Sequence, residues 1–361
     1  MTIPIEKRIH FKWYCKQDVL SLTRLRQFET RIGERVQVAH PGQDPEEYLT
    51  RSSARFVLLG VPEDIGVRAN LGVPGADTAW IPFLQSFLNM QSNDFLDGNE
   101  LLLLGHFDFG DIQYLIDHTA RGEQERMDAY RHAVNSIDDE VEHMIKLITS
   151  LGKIPIVIGG GHNNAYPVIK GAAKGWHKSG LINHPRINCI NLDAHTDYRT
   201  TEGRHSGNPF RYAMEDGYLQ RYCVVGMHEN FVPQNVWHDI MENPNVDCIS
   251  FEDIFIYEKR TFLQAVAHAT GFTENGMAGI ELDLDSIAGV LASAASPIGI
   301  TGLQARQYVH FAASDAKAAY LHICEGACRL GDGRTDASTG KLIAYLVADF
   351  LKALQPPGSY A

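Results

Sequence analysis

The stretch Ile187-Asn-Cys-Ile-Asn-Leu-Asp-Ala-His-Thr-Asp197 begins as a short apolar run and ends in three side chains able to bind metal. Ile187–Leu192 has the length and composition of a buried strand. Asp193, His195 and Asp197 recur at every second position, so an extended backbone would direct all three to one side of the chain. They would leave the strand at its carboxyl end, where open parallel sheets place their sites.

Two other stretches repeat this pattern. Ile154-Pro-Ile-Val-Ile runs into three glycines and His162, and Met277-Ala-Gly-Ile runs into Glu281-Leu-Asp-Leu-Asp285, where Asp283 and Asp285 again stand two apart. Each cluster alone has a structural alternative: a histidine after a tight turn, a solvated loop, or an aspartate capping a helix. All three following strands points instead to a shared metal centre held by His162, Asp193, His195, Asp197, Asp283 and Asp285. Carboxylate and imidazole without thiolate favour manganese, magnesium or iron over structural zinc. Four carboxylates balance two dications, and a pair of ions about 3.5–4 Å apart supplies hydroxide from water at neutral pH. No catalytic Ser or Cys is then required. The glycines do not make a phosphate loop, because neither the Gly-Lys-Ser/Thr ending nor the Gly-x-Gly-x-x-Gly spacing is present.

Outward from these motifs, strand and helix signals alternate. Phe56–Val61, Leu101–Leu104, Tyr222–Gly226 and Ala319–Ile323 read as strands. Ile137, Val141, Met144, Ile145, Ile148 and Leu151 recur at helical spacing, Gly152 closes that helix, and Leu342 to Leu354 forms a final amphipathic helix. This alternation predicts an α/β fold with a parallel sheet covered on both faces.

Gly159-Gly-Gly-His162, Asp193-Ala-His-Thr-Asp197 and Glu281-Leu-Asp-Leu-Asp285 resemble the three metal motifs of the arginase, or ureohydrolase, superfamily, and the resemblance runs from about Phe56 to Ala348. It implies a three-layer α/β/α sandwich with a mostly parallel sheet, and a hydrolase of C–N bonds in linear amidines that uses two Mn2+ ions. Gly161 stands where arginases and agmatinases carry Asp, and Ser286-Ile-Ala-Gly289 replaces their Asp-Pro ending. The Gly-Gly-Gly-His form, Ala292–Gly302 and Gly60–Gly72 are similar to formimidoylglutamases. That resemblance implies hydrolysis of N-formimidoyl-L-glutamate to glutamate and formamide in histidine breakdown. The alternatives are another ureohydrolase, acting on arginine, agmatine or a guanidino acid, and a non-catalytic metal-binding homologue.

Arg199 lies where arginases carry an Asn for the amino-acid head group. A guanidinium there suits an anionic substrate through bidentate pairing. Arg68, Ser206 and Asn208 are further candidate substrate contacts, and Arg204 and Arg211 are possible contributors to the local positive field. Glu325 matches the family's late Glu that pairs with the cationic end of the substrate. His205 is a candidate proton shuttle, although its offset from the following Gly differs by one from the family pattern. Asp197 is expected to act in catalysis as well as on metal.

The chain has 361 residues, 44% hydrophobic and 21% charged, which suffices for a large core. Residues 1–55 are rich in charge with few strand signals and are expected to be an amino-terminal extension packed on the core, ahead of a metallohydrolase domain over 56–361. The net charge of −12 argues against nucleic-acid and anionic-membrane partners. No signal peptide and no membrane span is legible. Six scattered cysteines fit buried free thiols in a reducing cytoplasm. The family resemblance implies a homo-oligomer, trimeric or hexameric.

Overall fold

The computed structural model describes residues 10–40 and 43–355. Nine strands, β1 (Phe11–Trp13), β2 (Phe56–Gly60), β3 (Leu101–Phe107), β4 (Ile154–Ile158), β5 (Ile187–Leu192), β6 (Leu219–Met227), β7 (Val246–Ser250), β8 (Met277–Asp283) and β9 (Lys317–Cys324), form one sheet in the order β1-β3-β2-β4-β9-β8-β5-β6-β7. Every pairing is parallel except that of β1 with β3. The central strands are buried along nearly their whole length, which is why they read as unbroken apolar runs.

Helices cover both faces. Glu123–Ser150 and Ala165–Lys178 pack together on one side, and Trp80–Phe87, Phe262–Thr273, Gly302–Asp315 and Ser338–Ala353 form the other layer. The parallel sheet covered on both faces that the alternation predicts is thus observed, in the three-layer α/β/α form that the family resemblance implies. The 28-residue helix Glu123–Ser150 buries Tyr130, Val134, Ile137, Val141, Met144, Ile145 and Ile148 as one stripe. It stops at Gly152, whose φ of 74° lets its N–H reach back to Thr149 O at 3.0 Å while Lys153 N reaches Ile148 O. The helix begins 14 residues before Ile137, because its first turns are polar and carry little apolar signal.

Two strands carry a weak sequence pattern, and both lie on sheet edges. β1 has three residues, with Phe11 buried and Lys12 exposed, and β7 alternates Val246, Asp247 and Cys248. Within residues 10–55, Val19, Ile32, Val36, Val38 and Leu49 are buried in the main core, so this segment contributes packing as well as an edge strand.

The two helices of the first layer touch closely at Gly171. A Cβ there would lie 2.6 Å from Glu142 O and 2.9 Å from Ile145 Cβ. We expect Gly171→Val to destabilise the fold by about 1–3 kcal/mol through overpacking, measured by urea unfolding. A change below about 0.5 kcal/mol, the usual range for a surface site, would show that the helices can part at little cost.

Candidate metal centre

Four neighbouring strands at the middle of the sheet, β4, β9, β8 and β5, run parallel, so their carboxyl ends emerge on one edge. After β4 the chain turns through Gly159 (φ 90°) and Gly160 (φ 79°) to reach His162. Residues with a Cβ rarely adopt such angles, and a Cβ on Gly160 would also press to 2.5 Å on Val61 O. Glu63, just beyond β2, holds this turn: its carboxylate accepts from Ile65 N (2.7 Å), Gly161 N (3.3 Å), Asn163 Nδ2 (3.1 Å) and Asn164 Nδ2 (2.5 Å). Burial pushes its pKa up to about 7, although the Asn163 and Asn164 amides and the Gly66 N–H pull it down.

His162 Nδ1 faces three carboxylate oxygens, Asp197 Oδ2 at 2.8 Å, Asp193 Oδ2 at 3.2 Å and Asp283 Oδ2 at 3.3 Å. These four side chains form one group with donor atoms within 4.8 Å of one another. Asp193, His195 and Asp285 form a second, with His195 Nδ1 3.1 Å from Asp285 Oδ2 and 3.5 Å from Asp193 Oδ1. Asp193 therefore turns one oxygen to each group. All six residues of the sequence pattern are brought together, in two overlapping sets.

The donor set fits a pair of cations. Both nitrogens of His162 and Asp285 Oδ1 are buried without a hydrogen-bond partner, and buried polar atoms are seldom left so. The packed carboxylates repel one another: burial first, and then Asp193, push Asp197 up to about 6, while burial, Asp285 and Asp193 push Asp283 well above the usual range. Burial also works against Asp193, but the His162 and His195 imidazoles outweigh it and hold that carboxyl well below the usual range. Oxygen and nitrogen donors with four carboxylates suit manganese or magnesium.

The local backbone differs from the expectation. The chain bends at Ala194 and His195 rather than continuing extended, and Asp197 has a φ of 44°. This bend, and not the alternation of a strand, sends Asp193 and Asp197 to His162 and His195 to Asp285. The Asp283 carboxylate accepts from Asp285 N at 2.8 Å, so the capping alternative is also realised, in a 3-10 turn. Asn191 Nδ2 donates to Asp193 Oδ2 at 2.9 Å and helps to orient it.

A cavity of about 430 Å³ opens over the two groups and is lined by Asp197, Arg199, Ser206, Asp283, Asp285 and Glu325 among others. Glu325, at φ 61°, accepts from His162 N at 2.8 Å, and burial pushes it up to about 8, helped by Asp285 and Asp197. Arg199 donates to Asn70 Oδ1 (2.8 Å) and Glu202 Oε1 (3.1 Å).

Three expected site residues lie elsewhere. The Arg68 guanidinium is bound by Asp64, with Nε at 2.6 Å from Oδ1 and Nη2 at 3.3 Å from Oδ2, and does not line the cavity. Asn208 is buried and pins its own loop, donating to Thr200 O and Gly203 O while accepting from His205 N and Arg204 Nη1. His205 is fully buried: its Nδ1 accepts from Gly207 N at 3.1 Å, its Nε2 lies 3.2 Å from Glu202 Oε1, and burial lowers its pKa to about 4. The ring is therefore enclosed by its own loop and does not line the cavity. Arg204 and Arg211 are likewise engaged, with Asp138 and with Glu215 and Asp239.

Sequence reasoning passed over other contributors. Asn70, Phe231, Asn235 and Ser293 line the cavity, and the Phe231 ring stacks on His195 at 5.3 Å between centroids. Glu63 and Asn70 sit inside Gly60–Gly72, so a polar residue within that apolar, glycine-rich stretch was the available signal.

The chain matches the Arginase family model over residues 54–349. It is 28% identical over 300 residues to a formimidoylglutamase of Psychrobacter cryohalolentis, covering 78% of this chain and 79% of that one. It is 30% identical over 178 residues to a formimidoylglutamase of Aromatoleum aromaticum, covering 48% of this chain and 47% of that one, so the chain spans about half the length of this relative. Its fold resembles Trypanosoma cruzi formiminoglutamase with Mn2+2 (TM-score 0.65, 19% identity, 91% of this chain and 100% of that one). It also resembles formimidoylglutamase from Bacillus subtilis (TM-score 0.67, 17% identity, 92% and 94%). With its carboxylates and imidazoles gathered at the strand ends and a family match over most of its length, the chain belongs to the arginase family.

Proposed function

We propose that this chain hydrolyses the formimidoyl C–N bond of N-formimidoyl-L-glutamate, giving glutamate and formamide, with two Mn2+ ions held by His162, Asp193, Asp197 and Asp283 and by Asp193, His195 and Asp285. The observation that carries this reading is the sharing of Asp193 between two ligand groups on the floor of a cavity whose arginine is Arg199. When bound, two such ions make water a competent nucleophile at neutral pH. The residues of the chain bind and orient. Arg199 faces the substrate's carboxylates through charge-assisted hydrogen bonds. The Glu325 carboxylate meets the cationic amidinium end, fixed by the His162 N–H. The amine that leaves needs a proton at its nitrogen, which the attacking water gives up, and with His205 enclosed, the cavity-lining carboxylates of Asp197 and Glu325 are the groups in reach that could carry it across. The reading carries with it histidine breakdown, a homo-oligomer and a cytoplasmic location, which six free thiols suit. Among the described residues no helix is long and apolar enough to cross a membrane.

A guanidino substrate is the second reading, favoured by one observation. A single arginine fronts the cavity and already serves Glu202 and Asn70, whereas N-formimidoyl-glutamate brings two carboxylates. The test offers manganese-loaded protein N-formimidoyl-glutamate, arginine, agmatine and guanidinobutyrate in parallel, with chelator controls. Formamide and glutamate from the first alone support the proposal, urea from another transfers it to the second reading, and no product from any leaves a non-catalytic homologue. Arg199→Asn is expected to lower kcat/KM for N-formimidoyl-glutamate by about 10–100-fold, the size of a lost hydrogen bond to a charged group, mostly through KM. Unchanged kinetics would remove Arg199 from the substrate.

A further inference from the structure

One carboxylate of the third motif belongs to neither ligand group. In the register of β8 with β9, Glu281 stands opposite His322 and Asp283 opposite Cys324. Asp283 reaches the metal centre, while Glu281 lies two residues deeper in the same strand and is completely buried. A carboxylate there must be paired to remain charged. Its Oε1 accepts from Tyr320 OH at 2.7 Å and its Oε2 from His322 Nδ1 at 2.6 Å. That same Oε2 lies 3.5 Å from His162 Nε2, a buried nitrogen with no hydrogen-bond partner. Gly279, opposite Tyr320, makes room for the tyrosine ring, since a Cβ there would overlap it.

His162 turns its other nitrogen, Nδ1, to the oxygens of Asp197, Asp193 and Asp283. A neutral imidazole that offers the Nδ1 lone pair to a cation carries its proton on Nε2, and of the groups near that nitrogen, His322, Cys324 and Glu281, the carboxylate of Glu281 at 3.5 Å is the strongest acceptor. We propose that Glu281 is the positioning residue of the first metal group: clamped by Tyr320 and His322, it accepts the Nε2–H of His162, fixes the tautomer and aims Nδ1. Such outer carboxylates raise the basicity of the ligand imidazole and hold its ring. The glycine at 161 explains why support comes from across the sheet. A Cβ at 161 would lie 2.5 Å from Asn163 Oδ1 and 2.8 Å from Val67 Cγ2, so a side chain beside His162 would have to displace both.

This inference rests on the metal reading above, and the experiment separates the two. Metal-free protein is titrated with Mn2+ by calorimetry, and the coupling of the two ions is followed by electron paramagnetic resonance. If wild type fails to take up two ions, the metal reading itself falls and the inference with it. If wild type takes up two, Glu281→Gln, which keeps the volume, is expected to weaken one site by about 10–100-fold. The other site keeps its affinity and the coupled signal is lost. A folded Glu281→Gln protein that binds both ions as wild type does would overturn the proposal. Melting of the metal-free variant reports folding. Should that variant not fold, Tyr320→Phe, which frees Oε1 alone, is expected to weaken the same single site several-fold, and wild-type affinity at both sites would again overturn it.

Discussion

Asp193→Asn is expected to deprive the protein of both ions at once and to lower turnover by more than the roughly 100-fold that loss of an outer-sphere partner can cost. Asp193 is the residue common to the two groups, giving Oδ2 to the His162 side and Oδ1 to the His195 side. An amide keeps the shape but removes the charge and converts one acceptor atom into a donor facing the ions. Two dications would then meet three aspartates rather than four. Asp285→Asn touches the second group alone, so it should leave one ion in place. Metal content after dialysis, together with kcat for each variant, checks the difference. Retention of one full equivalent of manganese by Asp193→Asn would mean that the two groups do not share this carboxylate.

Arg204→Met is expected to cost about 3–5 kcal/mol of stability, because it leaves a buried charge unpaired. Arg204 and Asp138 are 3% and 6% exposed, too little for water to substitute for the lost partner. The guanidinium donates to Asp138 Oδ2 and Oδ1 at 2.9 and 3.2 Å and to Asn163 O at 2.8 Å, between the Tyr166 and Tyr212 rings. It thereby joins the loop after residue 200, the long helix Glu123–Ser150 and the residue next to His162. Adding Asp138→Leu should return much of the loss, since a pair replaced by apolar side chains is often close to neutral. Urea unfolding of single and double variants decides it. A loss under about 1 kcal/mol, the range of exposed ion pairs, would show that water reaches the pair.

The arginine contrast shows what was legible in the chain and what was not. Residue type and strand order expose the layers of the fold, because buried parallel strands must be apolar and must alternate with helices. The six metal-competent side chains were legible for the same reason: a carboxylate or imidazole directly after such a strand has one edge to occupy. The path to them was not, since the positive φ at Asp197 carries no sequence signature in a non-glycine residue. Arg68, Arg204 and Arg199 look alike on paper, and only the presence of Asp64 and Asp138, distant or buried partners, assigns the first two to the framework. The enclosure of His205 and Asn208 within their own loop was not legible on the same ground, because hydrogen bonds to loop carbonyls and amides leave no mark in the order of residues. β1 was not legible, and β7 only as a short run around Cys248, because edge strands, half wet, need not be apolar.

The order of the strands has a consequence for how the molecule comes into being. β4 and β5 are separated by few residues along the chain, yet in the sheet β9 and β8 lie between them. A growing polypeptide that has emerged as far as residue 250 therefore holds two half-sheets with bare inner edges, and hydrophobic edges of this kind invite pairing with other chains. Only when residues 277–324 arrive can both halves close upon them. Glu281, Asp283, Asp285 and Glu325 arrive with that closure, so the same strands complete both the sheet and the candidate metal centre, and a chain truncated before them has neither a complete sheet nor the full set of candidate ligands.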